Sequence, residues 1–463
     1  NFNIDFASLS YTAPELTQYW YKLEGINDEW IYLNKNNKVF FTTSDIVSYK
    51  FLKEKKSEVF FIDIFDIKWF NYSYENLLNF EKKYLFPFWV TLENLKFSDR
   101  DYSNKSQEEY LKIANIIFDN IEKILKEKNI DVSISQISSC LPIRIVSFVI
   151  KWLGKKHIYN DSYPLEKNKF IISDIDESWN SSLIDFYWNN DNEKDINKKS
   201  IDEYISWFTK KNEMIYKPIV PKVFSFKNFK SLLKLIKEFE FKWHSSFVNR
   251  IIFHLKQVFQ SKLWKVFIKY DKIDNTEKYI FFPIHVSEDA QILVRNQHYF
   301  DQINLIEIIA RQLPLDYKIY TKEHPANIWW IWIKWLNRIR NNHKLKLINP
   351  LENSQELIEN SKWVLVINWS AWLEALARKK PLIVLWEAFY AKWNNIFKLY
   401  RLDEFYKSIN WVENYQNDEL DFYRLFNAII KWIVKWNCFD YADIWENTDN
   451  IWKSFLTYIE KTL

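Results

Sequence analysis

The chain reads as an α/β protein of two halves, the second a doubly wound parallel sheet. Three observations predict this. Short apolar runs such as 58–63, 279–283 and 363–367 alternate with longer amphipathic stretches. Hydrophobic residues make up 48% of 463 positions, enough for two cores of ordinary domain size. Polar residues gather directly after the strand-like runs, where open parallel sheets bind their ligands.

Residues 1–44 stand apart as a β-rich segment. Alternating runs around Gly25 (YWYKLEGINDEW, 19–30) predict β-hairpins. The stretch is similar to the Y-x-Y-x-L-x-G-x-x-x-x-W core of an immunoglobulin-like module found beside bacterial sensor propellers. The likeness is shorter than a domain, carries no function, and reads as either a joined-on fragment or a chance likeness. The opening Asn1 in place of Met likewise reads as a piece of a longer chain.

Residues 45–180 form the first α/β domain. A strand at 58–63 precedes a long helix at 107–128, with Tyr110, Leu111, Ala114, Ile117, Phe118, Ile121 and Ile124 at helical spacing. A strand at 131–135, a helix at 142–153 and a strand at 156–159 follow. Such strand–helix–strand units predict a parallel sheet covered by helices. Residues 181–275 hold a polar insertion (NNDNEKDINKKS, 189–200) and an amphipathic helical bridge at 225–270.

Residues 276–430 restart the rhythm. Strands are expected at 279–283, 318–322, 345–348, 363–367 and 382–385, with helices at 299–313, 354–360 and 373–377. Residues 431–463 read as a helical tail.

Composition narrows the function. Net charge is +4 with acids and bases interspersed, so no basic stripe marks a nucleic-acid binder. Cys140 and Cys438 lie far apart, which favours a reducing cytoplasm. No 18-residue apolar run is present, so no helix is expected to span a membrane. The chain has 24 Trp and only 2 Gly, against roughly 30 Gly for an ordinary soluble chain of this size. Trp stands where turns ask for glycine, most clearly in the strand–loop–helix run VLVINWSAWLEAL (364–376). We read many of these Trp as glycine codons, of UGA type, decoded as Trp. On the same ground IWWIWIKWL (328–336) is discounted as an interfacial anchor.

Candidate site residues follow the strands. His324 ends a strand in KEHP (322–325), and Pro325 biases it toward extended geometry. Its nitrogens suit phosphate or sugar oxygens, and Lys322 adds charge. Asn368, Ser370 and Glu374 surround a loop entering a helix, a place for anions at exposed backbone N–H groups. Glu374 is placed to accept hydroxyl hydrogens. His285 follows the strand at 279–283, near Glu288, Asp289 and Arg295. Glu387 follows the strand at 382–385, with Tyr390 as a stacking candidate for a base or sugar. In the first half, Asp161, Asp174 and Asp176 are candidates for a catalytic base, and His157 reads as packed within its strand. No GxxxxGK[ST] loop is present, which disfavours a P-loop kinase or ATPase.

The second half resembles the capsule polysaccharide biosynthesis family, which includes Kdo-transferase-like proteins of capsule export systems. The matching stretches are FFPIHVSED (281–289), HYFDQINLIEIIARQLP (298–314), KIYTKEHPANIWW (318–330) and VLVINWSAWLEALARKKPLIVLWEAFY (364–390). The resemblance implies two Rossmann-like domains facing a cleft, the GT-B arrangement, with residues 45–180 on the acceptor side and 276–430 binding the nucleotide sugar. It implies transfer from a nucleotide-activated donor, commonly a CMP-linked acidic sugar, to a surface glycan or lipid-linked glycan. His324 and Pro325 fall on its donor His-Pro motif, Ser370 and Glu374 on its small-residue loop, and His285 on its P-L-H segment. Departures are Glu288 and Asp289 where the family has x-x-Pro-Glu, and Trp369, Trp372 and Trp386 at loop glycines. The His, loop N–H groups and helix dipole would stabilise the departing phosphate, so neither metal nor cofactor is expected. Capsule export machinery is an expected partner, and the expected location is the cytoplasm, peripheral at the inner face of the membrane. A sugar-nucleotide epimerase and a non-catalytic capsule export or assembly factor are the alternatives.

Overall fold

The computed structural model describes residues 72–88, 106–128, 132–136, 141–163, 169–174, 181–191, 194, 196–210, 268–286, 289, 291–324, 328, 331, 333–367, 371–385 and 388–435, with strand backbone at 19–21, 31–33, 40–43 and 58–61. The chain divides into two compact units, one of residues 1–96, 104–191 and 428–463, the other of 97–103 and 192–427.

In the first unit, β1 (Tyr19–Tyr21) and β2 (Ile31–Leu33) pair antiparallel, with Tyr19 opposite Leu33, as the alternation around Gly25 predicts. β3 (Phe40–Thr43) and β4 (Glu58–Phe61) pair in parallel. Helix α1 (Tyr74–Tyr84) packs on α2 (Gln107–Glu127) through Phe80 and Phe118, whose rings stack at 4.6 Å. A capping box starts α2: Glu109 N–H donates to Ser106 Oγ, and Ser106 N–H donates to the Glu109 carboxylate. The apolar stripe read from the sequence is its buried face.

The next elements are β5 (Val132–Gln136), α3 (Leu141–Trp152), β6 (Lys156–Ser162), β7 (Lys169–Ser173) and α4 (Ser182–Asn190). β5 and β6 are parallel across α3. The expectation of an all-parallel sheet fails beyond them. β6 and β7 are antiparallel, and a short strand at Val434–Lys435 joins β7 antiparallel. Only residues 163–168 separate β6 from β7, too few for a parallel crossover. Trp432 closes this unit's core, its indole N–H donating to the Ile172 carbonyl at 2.9 Å.

The second unit begins with α5 (Lys198–Lys210), part of which the sequence presents only as polar insertion. Then come β8 (Lys278–Pro283), α6 (Gln302–Ala310), β9 (Tyr317–Lys322), α7 (Ile333–Arg340), β10 (Leu345–Leu347), α8 (Ser354–Asn360), β11 (Trp363–Val366), α9 (Ala371–Ala377), β12 (Leu382–Val384), β13 (Ile396–Lys398), α10 (Phe405–Glu413) and α11 (Glu419–Trp432), whose residues from 428 on count with the first unit. The sheet order is β10-β9-β8-β11-β12-β13, parallel throughout. Numbered within the unit this is 3-2-1-4-5-6, the doubly wound order whose direction reverses between β8 and β11. Its strands are buried on both faces, so they read as continuous apolar runs rather than alternating ones. Ile280, Phe282, Ile306, Ile319, Leu336, Leu365 and Ile383 form the core.

The helix expected at 299–313 is α6, shorter at both ends, and a π turn (Gln291–Arg295) and a 3-10 turn (Gln297–Tyr299) precede it. The Asp301 carboxylate accepts from Asn304 N–H and starts α6 there. Of the bridge expected at 225–270 only 268–270 are described, and they are not helical. The tail beyond 435 lies outside the described residues. Among the described residues, no helix is long and apolar enough to cross a membrane.

Candidate functional site

The sheet's geometry sets the site. β8 and β9 end level, with Pro283 paired to Lys322, and Ile284 N–H donates to the Lys322 carbonyl at 3.0 Å. His285 lies just past that ladder, and His324 lies just past β9. α9, which follows β11, carries Glu374 in its first turn. Three strands at the reversal of the sheet therefore bring His285, Lys322, His324 and Glu374 to their carboxyl ends, where such folds bind ligands. All four are buried.

Burial and mutual charge tune these groups together. Burial lowers the His285 imidazole to about 3, and neighbouring His324 adds to the effect. Burial lowers His324 to about 4, helped by the Lys322 charge. Both imidazoles are neutral at neutral pH and act as hydrogen-bonding groups, not cations. Burial lowers Lys322 to about 8, opposed by the charges of Glu374 and Glu352. Its Nζ donates to the Glu352 carbonyl at 2.5 Å and the Pro350 carbonyl at 3.4 Å, tying β9 to the loop before α8. Burial raises Glu374 to about 7, opposed by Arg378 and Lys322. Glu374 Oε2 is buried and accepts no hydrogen bond among the described residues. The chain of couplings His285–His324–Lys322–Glu374 makes one electrostatic cluster.

Residues outside the candidate set support the cluster. The Gln302 side-chain amide accepts from His285 N–H at 2.7 Å and donates to the His285 carbonyl at 3.2 Å. Nothing in the sequence flags it, since one Gln before an apolar helix reads as an ordinary first-turn residue. Tyr270 donates to the buried Glu323 carboxylate.

Pro325, Asn368, Ser370 and Glu387 lie outside the described residues, as do Glu288, Trp369 and Trp386. Asp289 initiates the π turn, accepting from Gln291 N–H at 2.8 Å. Tyr390 is fully buried and stacks on Trp372 at 4.1 Å, which gives it a core position in place of the expected base or sugar contact. Among the described residues, no group of three His, Cys, Asp or Glu side chains is placed to hold a metal ion.

In the first unit, Asp174 braces the start of α4, whose N-cap is Ser181. The two Asp174 oxygens accept from Ser182 N–H and Ser182 Oγ, each at 2.7 Å. Asp161 sits in β6 opposite Ile171, and its side chain lies outside the described set, as does all of Asp176. His157 is packed as expected, with Nδ1 2.5 Å from Ser133 Oγ and burial holding it at about 3.

Residues 241–395 match the family described as capsule polysaccharide biosynthesis protein. No curated protein matches the chain. Similar solved structures include two Thermosulfurimonas dismutans KpsC structures. The β-Kdo 2,4 transferase is 12% identical, covering 64% of this chain and 78% of that one, with a TM-score of 0.37. The β-Kdo 2,7 transferase is 12% identical, covering 76% and 90%, with a TM-score of 0.34. The UDP-GlcNAc 2-epimerase of Methanocaldococcus jannaschii, in complex with UDP-GlcNAc and UDP, is 14% identical, covering 69% and 80%, with a TM-score of 0.30. Likeness at this level carries no weight for the chemistry.

Proposed function

We propose, from the premise that residues 241–395 belong to the capsule polysaccharide biosynthesis family, that the chain is a glycosyltransferase. It moves a sugar from a nucleotide-activated donor, a CMP-linked acidic sugar such as Kdo, to a capsular or surface polysaccharide. The observation that carries the reading is the buried cluster of His285, Lys322, His324 and Glu374 at the sheet reversal. Two α/β units facing a cleft in the GT-B manner belong to the same proposal.

The residues suit a departing nucleotide phosphate. Neutral His285 and His324 offer N–H donors to phosphate oxygens without holding them as fixed ion pairs. Lys322 supplies positive charge close by. Glu374 accepts a sugar or ribose hydroxyl, and in its protonated form donates one hydrogen bond. The family likeness assigns Pro325 and Ser370 to the same pocket, and Asn368 and Glu387 are candidates by their places after strands. In an inverting transfer the acceptor oxygen bonds to the anomeric carbon as the bond to the phosphate oxygen breaks. The hydroxyl proton passes to a carboxylate, for which Asp161, Asp174 and Asp176 are the candidates. A lipid-linked acceptor would place the reaction at the inner face of the membrane, beside capsule export machinery.

The test is a donor screen with an oligosaccharide acceptor, CMP-linked acidic sugars first, then UDP and GDP sugars. It is run on the chain as it stands and with glycine at 369, 372 and 386. Acceptor-dependent nucleotide release supports a transferase. Epimer formation without acceptor points to an epimerase, and a folded chain that binds no donor points to an assembly role.

A further inference from the structure

The donor pocket's strand ends are held by one irregular segment, residues 291–302. We propose that this segment is a positioning strap for the pocket, acting through Gln302 and Tyr299; the proposal rests on the transferase reading above. Gln302 is buried, and its side-chain amide closes a two-bond ring with the backbone of His285 at 2.7 and 3.2 Å. The last β8 ladder bond is Ile284 N–H to the Lys322 carbonyl. Just past it, the Gln302 amide stands in as one more peptide unit and fixes the backbone that carries the imidazole. Tyr299 reaches the other side. Its hydroxyl donates to the buried Leu385 carbonyl at 2.9 Å, directly past β12 and ahead of Trp386 and Glu387.

β8 and β12 are the two neighbours of β11 in the sheet. The strap therefore ties the strand ends on either side of β11. Its own backbone is pinned at several points. Gln291 N–H donates to Asp289 Oδ1 at 2.8 Å, Asn296 Nδ2 to the Gln291 carbonyl at 2.7 Å, and Tyr299 N–H to the Asn296 carbonyl at 2.9 Å. The segment also contains a π turn, a rare conformation that recurs at functional sites. A helix extended back to residue 291 would satisfy the same backbone groups more simply. The irregular path delivers a tyrosine hydroxyl and a glutamine amide to two different strand ends.

The test compares Gln302→Leu, Gln302→Glu and Tyr299→Phe with Leu305→Ala, a core change on the same helix matched for loss of thermal stability. Donor kcat/KM is expected to fall about tenfold or more in Gln302→Leu and to stay within about twofold in Leu305→Ala. Tyr299→Phe is expected to raise donor KM with little change in kcat. Gln302→Glu keeps the acceptor for the His285 N–H and loses the donor to its carbonyl. Its activity should recover as pH falls and the carboxyl protonates, a profile the wild type lacks. If the wild type turns over donor and the strap variants match Leu305→Ala, the strap fails and the transferase reading stands. If the wild type has no donor activity, the transferase reading fails. The clamp is then decided by amide hydrogen exchange at His285: protection lost in Gln302→Leu upholds it, and unchanged protection overturns it.

Discussion

Replacing Glu374 with Gln removes a carboxyl that the site holds partly protonated near neutral pH. Burial raises this group from its ordinary 4.5 to about 7, against the pull of Arg378 and Lys322. The folded state thus keeps a proton that the unfolded chain releases between pH 4.5 and 7. Stability falls as pH rises through that window. The difference is 2.5 pH units (7 minus 4.5), or about 3 kcal/mol at 1.36 kcal/mol per unit. His285 and His324 work the other way, since burial holds both well below the usual histidine value. The unfolded chain takes up those protons as pH falls below 6.5, so they favour the folded state as pH rises through the acid range. Subtracting the Glu374→Gln curve from the wild type cancels the histidines and leaves the carboxyl with its coupling to Lys322. Urea unfolding of both proteins from pH 5 to 8 reads it. The variant is expected to gain about 2.5 kcal/mol on the wild type across that span. A constant difference between the two proteins would refute a buried, raised Glu374.

The remaining predictions concern the same cluster and the first unit. In Glu374→Gln, donor affinity should show no step near pH 6.5, because His324 already titrates at about 4; a step there, by calorimetry, would contradict the neutral imidazole. His324→Ala should weaken donor binding by about ten- to a hundredfold, with His324→Asn restoring part of it through its side-chain N–H. An anionic phosphate beside Glu374 should raise that carboxyl further. Donor binding at pH 7.5 should therefore take up protons, read as a buffer-dependent binding enthalpy that disappears in Glu374→Gln. Asp174→Ala should cost about 1 to 3 kcal/mol by removing its two bonds to Ser182 at the start of α4; a loss of turnover far beyond that stability change would mark Asp174 as the base.

The second unit was legible because its strands are buried on both faces and its helices carry one apolar stripe. Runs such as 279–283 and 363–367 have no reading but buried strand, and the observed strands start and stop within a residue or two of those runs. His324 and His285 were legible for a topological reason: polar residues directly after parallel strands have one place to go. The supports were not. Gln302 reaches His285 across 17 residues, and Tyr299 reaches Leu385 across 86. Such bonds leave no periodicity to read. The antiparallel β6–β7 pair was hidden because the sequence marks strands, not their direction, and the short connection at 163–168 was the only signal. The strand at Ile396–Lys398 is three residues long, too short for alternation to register.

The central claim, that these strand ends hold a nucleotide-sugar donor, is met most directly by acceptor-dependent nucleotide release from a CMP-linked acidic sugar. Wild type and His324→Ala are compared at matched folding. Release is expected to require acceptor and to collapse in the variant. Release that ignores His324, or a well-folded chain that binds no nucleotide sugar, would contradict it.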